Sequence, residues 1–251
     1  MPSTFLNLIL LAGLVVQSSC VAPTLLGKFS YPHAAFSTLY QQGTSSRYDL
    51  LLSSFGIFSS NVAVVSDVGQ YLQRVSSINT KTLTQNVKWP NEVTGVPPAV
   101  LKSSTRYMAI PDGFLVPGKT YGSVSLINVD GSQSSPKTIT GGGNWFYHRV
   151  RWVDMDKDGR LDGLTARAHK PFIGSAQGQL LWLSNPAGHS IDSPWTENVI
   201  ASGPDTFFEF STLTAGGKSY EVILTSEFFD QKLRIFWTED PQQNWKNTQY
   251  G

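Results

Sequence analysis

Apolar and β-branched residues come in short runs set between Gly, Pro, Ser, Thr and Asn. The clearest are Tyr48 to Ser53, Asn61 to Ser66, Tyr121 to Asn128, Gly178 to Leu183, Tyr220 to Thr225 and Lys232 to Trp237. Each run is long enough for one strand, and no segment sustains a 3.6-residue apolar period. The pattern therefore predicts an all-β chain with turns at short intervals. The runs also recur at long range. Leu180-Leu181-Trp182-Leu183-Ser184-Asn185-Pro186 is matched by Arg234-Ile235-Phe236-Trp237-Thr238-Glu239-Asp240-Pro241, and a tryptophan (Trp195, Trp245) follows each. Weaker echoes lie upstream at Ser125 to Asp130 and Val62 to Asp67. A β-rich unit of about 55 residues holds about four strands, the size of a propeller blade.

One run departs from this pattern. Between Arg151 and Leu164 the chain reads R-W-V-D-M-D-K-D-G-R-L-D-G-L, which places Asp154, Asp156, Asp158 and Asp162 in the order D-x-D-x-D-G-x-x-D. Carboxylates so close repel one another unless a cation cancels their charge. Ca²⁺ accepts such a mixed set of carboxylate and carbonyl oxygens from one loop. The expected ligands are the four aspartates and the backbone carbonyl of Arg160, with Gly159 permitting the sharp wrap. An EF-hand is excluded, because its twelfth position, which requires Glu, is Thr165 here. The flanks Trp145 to Val153 and Leu161 to Ala168 suit strands, so the loop reads as the tip of a β-hairpin. The alternative is a solvated acidic turn without metal.

The unit of hydrophobic strand, D-x-D-x-D-G-x-x-D loop and further strands resembles the FG-GAP or VCBS repeat. The resemblance is sharp from Gly141 to Asn185 and weaker elsewhere, where the acidic loop is lost. It implies a β-propeller of four-stranded antiparallel blades, with approximate units at 24–75, 76–135, 136–190 and 191–245. Propellers of this kind usually close with seven blades, so four units imply an incomplete propeller. Alternatively, residues 244–250 supply a closing strand to the 29–40 region.

Residues 4–16 form an apolar run of signal-peptide length, and the expected leader is 1–20, ending at Cys20. The mature chain would then be secreted, soluble and free of thiols. The net charge of +1 and the lack of a basic block argue against nucleic acid as a partner. No later run reaches membrane-spanning length. Trp182 and Trp237 occupy equivalent places and suit core packing, whereas Trp145, Phe146, Phe228 and Phe229 fall outside the repeat and suit an exposed patch.

Neither a G-x-S-x-G elbow nor an H-E-x-x-H helix is present. His148 and Arg149 precede the acidic loop at the start of a strand, and His33 holds a similar place in the first unit. In a propeller these positions lie near the central channel and could bind a carboxylate, a sugar or a metal. The leading expectation is a calcium-binding scaffold for a protein or glycan ligand. The alternative is the propeller part of a lyase-like carbohydrate-active enzyme, or a lectin.

Overall fold

The computed structural model describes residues 23–56, 60–113, 121–131, 135–238, 245 and 249–250. The expected leader, with Cys20, lies outside the described residues, as does most of the 240–251 stretch.

The chain forms four antiparallel sheets of four strands each, and every sheet is built from strands consecutive in sequence. The first holds β1 (Ala34–Gln41), β2 (Tyr48–Ser54), β3 (Val62–Val65) and β4 (Lys81–Thr84). The second holds β5 (Thr94–Val96), β6 (Tyr107–Pro111), β7 (Ser123–Asn128) and β8 (Lys137–Gly141). The third holds β9 (Phe146–Val153), β10 (Asp162–His169), β11 (Gln177–Ser184) and β12 (Thr196–Ser202). The fourth holds β13 (Phe207–Ala215), β14 (Lys218–Glu227), β15 (Lys232–Thr238) and β16 (Gln249–Tyr250). Among the named elements of the described residues, helix appears as α1 (Pro98–Leu101) and two 3₁₀ turns. No helix among the described residues is long and apolar enough to cross a membrane.

Each fourth strand lies past the unit boundary read from the sequence: β4 past 75, β8 past 135, β12 past 190 and β16 past 245. The repeat is phased on the apolar middle strands. The fourth strands are short or polar and leave little hydrophobic signal; β4 reads Lys-Thr-Leu-Thr. β16 pairs with Phe236 and Trp237 of β15, so residues 249–250 complete the fourth sheet. They do not add a strand to the 29–40 region.

Three hydrophobic cores separate the sheets. Leu51, Val62 and Val64 of the first sheet meet Met108, Ile110 and Ile127 of the second. Val124, Leu126 and Ile139 of the second meet Tyr147, Val150, Leu181 and Leu183 of the third. Leu164, Leu180 and Trp182 of the third meet Phe208, Ile223 and Phe236 of the fourth, with Trp245 in the same core. The third sheet is therefore covered on both faces, which explains the unbroken Leu180-Leu181-Trp182-Leu183 run, since successive side chains serve opposite cores. The fourth sheet alternates instead: Ile223 and Phe236 are buried, while Leu213, Leu224, Leu233 and Ile235 are exposed. Full burial of each large apolar side chain contributes roughly 1.5–3 kcal/mol.

The first strands of successive sheets lie side by side, β1 by β5, β5 by β9 and β9 by β13. Gly95 in β5 permits one such approach, because a Cβ there would collide with the ring of Tyr40. The Tyr40 hydroxyl donates to the carbonyl of Val96 at 3.1 Å. Phe146 corrects an expectation: it is buried under the sheets and forms no exposed patch. Its place at the start of β9 turns it inward. Phe228, on the β14–β15 turn, is exposed.

Candidate functional site

The acidic run is the loop joining β9 to β10, whose strands pair antiparallel from Val153 opposite Asp162. Asp162, the first residue of β10, is buried. Its Oδ2 accepts the Met155 N–H and its Oδ1 the Asn185 N–H, each at 2.9 Å. These bonds fix the carboxylate. Burial pushes its pKa up to about 6 against their pull, and the charges of Asp156 and Asp158 push the same way. Asp154 Oδ2 accepts the Gly159 N–H at 3.0 Å, while Asp154 Oδ1 is buried without a hydrogen-bond partner among the described residues. Gly159 has φ +86°, a backbone angle that glycine adopts without strain.

Carboxylate oxygens of Asp154, Asp156 and Asp162 gather within 4.8 Å of one another. Asp158 departs from the sequence expectation. It is turned outward onto the guanidinium of its neighbour Arg160, and Arg160 Nε also donates to the Asn185 carbonyl at 2.9 Å. The other nearby cation, Lys157, pairs with Glu221 of the fourth sheet at 2.5 Å and donates to the backbone carbonyl of Asp154 at 2.9 Å. Among the described residues, no basic side chain pairs with Asp154, Asp156 or Asp162. Full charges this close repel by roughly 3 kcal/mol per pair at an effective dielectric near 20. Three hard carboxylate oxygens around one point would supply part of the roughly six to eight oxygens that Ca²⁺ takes.

The corresponding hairpin of the first sheet solves the same problem differently. Asp49, near the start of β2, is fully buried, and its Oδ1 accepts from Asp67 N–H at 2.8 Å and Gln42 Nε2 at 2.5 Å. Its Oδ2 meets the guanidinium of Arg106, which comes from the second sheet and also holds Asp130. A third buried carboxylate, Asp112 after β6, pairs with no cation among the described residues. It accepts from the backbone N–H and hydroxyl of Ser123, and burial pushes its pKa up to about 7.

At the opposite ends of these strands a cavity of about 390 Å³ opens between the sheets. All four contribute to its wall: Phe36 and Phe55 from the first, Asn91 and Gly113 from the second, Phe146 and His148 from the third, Thr206, Phe207 and Phe228 from the fourth. His148 lies between two of the lining rings, with ring centroids 5.3 Å from Phe36 and 5.1 Å from Phe207. Its Nδ1 is buried without a hydrogen-bond partner among the described residues, and burial lowers its pKa to about 4, so the ring is neutral near pH 7. A β-bulge sets this arrangement, since Thr165 pairs with Val150 and Arg167 with Tyr147, leaving His148 and Arg149 as the irregularity in β9. Bulges re-aim side chains in this way.

Arg149 does not line the cavity. It is buried beneath it, bound to Glu92 Oε2 through Nη2 at 2.5 Å and to the Phe208 carbonyl through Nη1 at 2.8 Å. Its guanidinium lies 4.0 Å from the centre of the Phe207 ring. Arg151 bridges Glu92 and Glu209 in turn, so two arginines and two glutamates from three sheets neutralise one another. His33 is exposed on the turn before β1, and Phe36, not His33, meets His148.

Compared with known families, the chain matches no family model, and it matches no curated protein.

Sequence reasoning missed Glu92, Glu209, Phe36 and Phe207 around the cavity, and Lys157 and Arg106 at the other end. One signal was available. Glu92 and Arg149 are 57 residues apart, Arg149 and Glu209 are 60 apart, and Asp49 and Arg106 are 57 apart. Residues one repeat apart face each other across neighbouring sheets, so opposite charges at that spacing mark contacts.

Proposed function

We propose that the chain is a secreted, calcium-braced β-propeller of the FG-GAP or VCBS kind. It acts as a ligand-binding scaffold whose ligand enters at the common axis of its sheets. The observation that carries this reading is a cavity walled, among the described residues, by all four sheets, whose first strands adjoin. Consecutive four-stranded meanders whose first strands adjoin are the arrangement of propeller blades, and ligands of propellers gather at that axis. Calcium at Asp154, Asp156 and Asp162 supplies rigidity in this account. It ties the β9–β10 hairpin at the far end from the cavity, and Asp158 joins the set if Arg160 releases it. The apolar 4–16 run supports export.

The ligand class left open by the sequence is a protein or a glycan. A glycan array together with extracellular protein baits, probed with wild type and His148→Ala, tests the scaffold reading. The expected result is a specific ligand lost in the variant while the melting curve stays cooperative. Turnover of a carbohydrate by the wild type would replace this reading with the enzymatic one.

A further inference from the structure

We propose that the end of the molecule formed by the second-to-third strand turns is a docking surface for a lipid bilayer bearing anionic headgroups. Phe172, Ile173 and Phe228 enter the bilayer interface, and Lys88, Lys170 and Lys232 lie at headgroup level. This goes beyond the scaffold reading and draws neither on calcium nor on a ligand in the cavity.

The first observation is where the apolar tips stand. Phe55, Gly113 and Phe228, at the second-to-third turns of the first, second and fourth sheets, share one wall. Ala176, at the close of the third sheet's turn, shares a recess with Phe229 and Asp230 of the fourth. The four turns therefore lie at one end. Their tips are bare: Phe172 is 82% exposed, Ile173 93% and Phe228 67%. Tyr121, just before β7, and Leu233, near the start of β15, are exposed at the same end. The first-to-second strand turns, at the opposite end, are residues 42–47, 97–106, 154–161 and 216–217. They carry no exposed large hydrophobic side chain. Scattered surface residues would fall on both sets of turns, whereas apolar tips confined to one set mark an interaction surface.

The second observation is charge. Lys88, whose carbonyl accepts the Gly113 N–H, is exposed, and so is Lys232. Lys170 Nζ donates to the Gly174 carbonyl at 3.3 Å. Neither Lys88 nor Lys170 pairs with a carboxylate among the described residues. The exposed carboxylate of these turns, Asp230, faces Lys232 at 3.8 Å and Arg234 at 3.5 Å. Deeper carboxylates are enclosed: Glu227 binds Arg234 at 2.6 Å, and Asp205 accepts the Phe228 and Phe229 N–H groups. Residues 57–59 and 114–120, outside the described set, read Ile-Phe-Ser and Phe-Leu-Val-Pro-Gly-Lys-Thr. By sequence they add apolar side chains, one lysine and no acid.

A lipid surface fits this combination better than a protein. A stable protein interface takes about 800 Å² from each partner around a continuous packed core, from which lysine is depleted. Here one or two apolar side chains stand on each of several turns, with lysines among them. A bilayer interface accepts each tip independently. The lysine stems lie along the acyl boundary while the ammonium groups stay among the headgroups.

The test is flotation of the full chain with vesicles of phosphatidylcholine, with and without one quarter phosphatidylglycerol, in calcium and in chelator. The wild type should bind the anionic vesicles equally in both buffers and phosphatidylcholine alone more weakly. Phe172→Ser combined with Ile173→Ser should weaken binding to both vesicles by about tenfold or more. Lys170→Gln should weaken binding to anionic vesicles about fivefold and leave phosphatidylcholine unchanged. Lys218→Gln, exposed at a turn of the opposite end, should change neither. These positions lie at turns, and an unchanged melting curve confirms that each variant folds. The apolar 4–16 run is common to every variant, so binding carried by it would survive the serine substitutions. No flotation of the wild type, flotation only with calcium, full binding by the serine pair, or equal losses in Lys218→Gln and Lys170→Gln would each overturn the proposal. No flotation together with a dimer that the serine pair abolishes would assign the end to a second copy instead. The melting response to calcium, read on the same samples, judges the calcium-braced scaffold separately.

Discussion

The hairpins that open the first and third sheets bury a carboxylate at matching places, and only one is neutralised from within the protein. Asp49 meets the guanidinium of Arg106, sent across from the second sheet. Asp162 has two further carboxylates beside it, while the nearby cations Lys157 and Arg160 form their ion pairs with Glu221 and Asp158, Lys157 touching only the backbone carbonyl of Asp154. Asp112 shows a third course, since burial without a cation makes it hold a proton up to about pH 7. A buried carboxylate needs a countercharge, a metal, a proton or, like Asp205 on the Phe228 and Phe229 N–H groups and the Thr206 hydroxyl, a full set of hydrogen-bond donors. Which one it takes determines how the stability of its sheet responds to mutation, calcium and pH.

The largest effect should come from removing the internal cation. Arg106→Met leaves Asp49 buried with hydrogen bonds and no countercharge. Breaking such a pair costs about 3 kcal/mol, measured as a fall in the urea midpoint at constant slope. The loss should be the same with and without calcium, since this hairpin does not use the ion. A calcium-dependent loss would break the comparison.

The third hairpin should behave in the opposite way. Calcium at a hundred times its dissociation constant adds about 2.7 kcal/mol to the wild type, a rise of roughly 5–10 °C in Tm for a chain of this size. Asp156→Ala should lose that gain. In chelator the variant should be no less stable than the wild type, because it relieves repulsion and gives up only the long, exposed bond from the Asp158 N–H at 3.3 Å.

Asp112→Asn sharpens the third case. The folded wild type keeps the Asp112 proton up to about pH 7, whereas the unfolded chain releases it near the usual carboxylate value. The stability this group confers is full below that lower value and is lost as pH rises through about 7. The amide cannot ionise. The variant should therefore exceed the wild type by roughly 1–2 kcal/mol at pH 8 and lose the advantage towards pH 5, followed by thermal melts across that range. The smallest effect is expected at Lys157→Met. The Lys157–Glu221 pair is partly exposed and should cost no more than about 1 kcal/mol.

Much of this was legible in the sequence at the level of strands and loops. The apolar middle strands announced themselves because the sheets are covered on both faces, as the Leu180–Leu183 run shows. The D-x-D-x-D-G-x-x-D spacing located the acidic hairpin, because ligands from one loop depend on local order alone. Asp158 pairs with Arg160 in this structure, a contact that the spacing alone does not announce. Arg149 was read as a ligand contact and is a buried clamp, because its glutamate partners lie 57 and 60 residues away. Phe146 was expected at the surface because it falls outside the repeat, yet it begins β9 facing the cavity and is buried.

The central claim is that the third hairpin lacks a countercharge which only a bound cation supplies. Calorimetric titration of the chelated full chain with Ca²⁺, run beside Asp156→Ala, tests it most directly. The account predicts uptake of one ion per chain by the wild type, no uptake by the variant, and unchanged folding of both. A folded wild type that takes up no calcium, or a variant that binds it as tightly, would contradict the account.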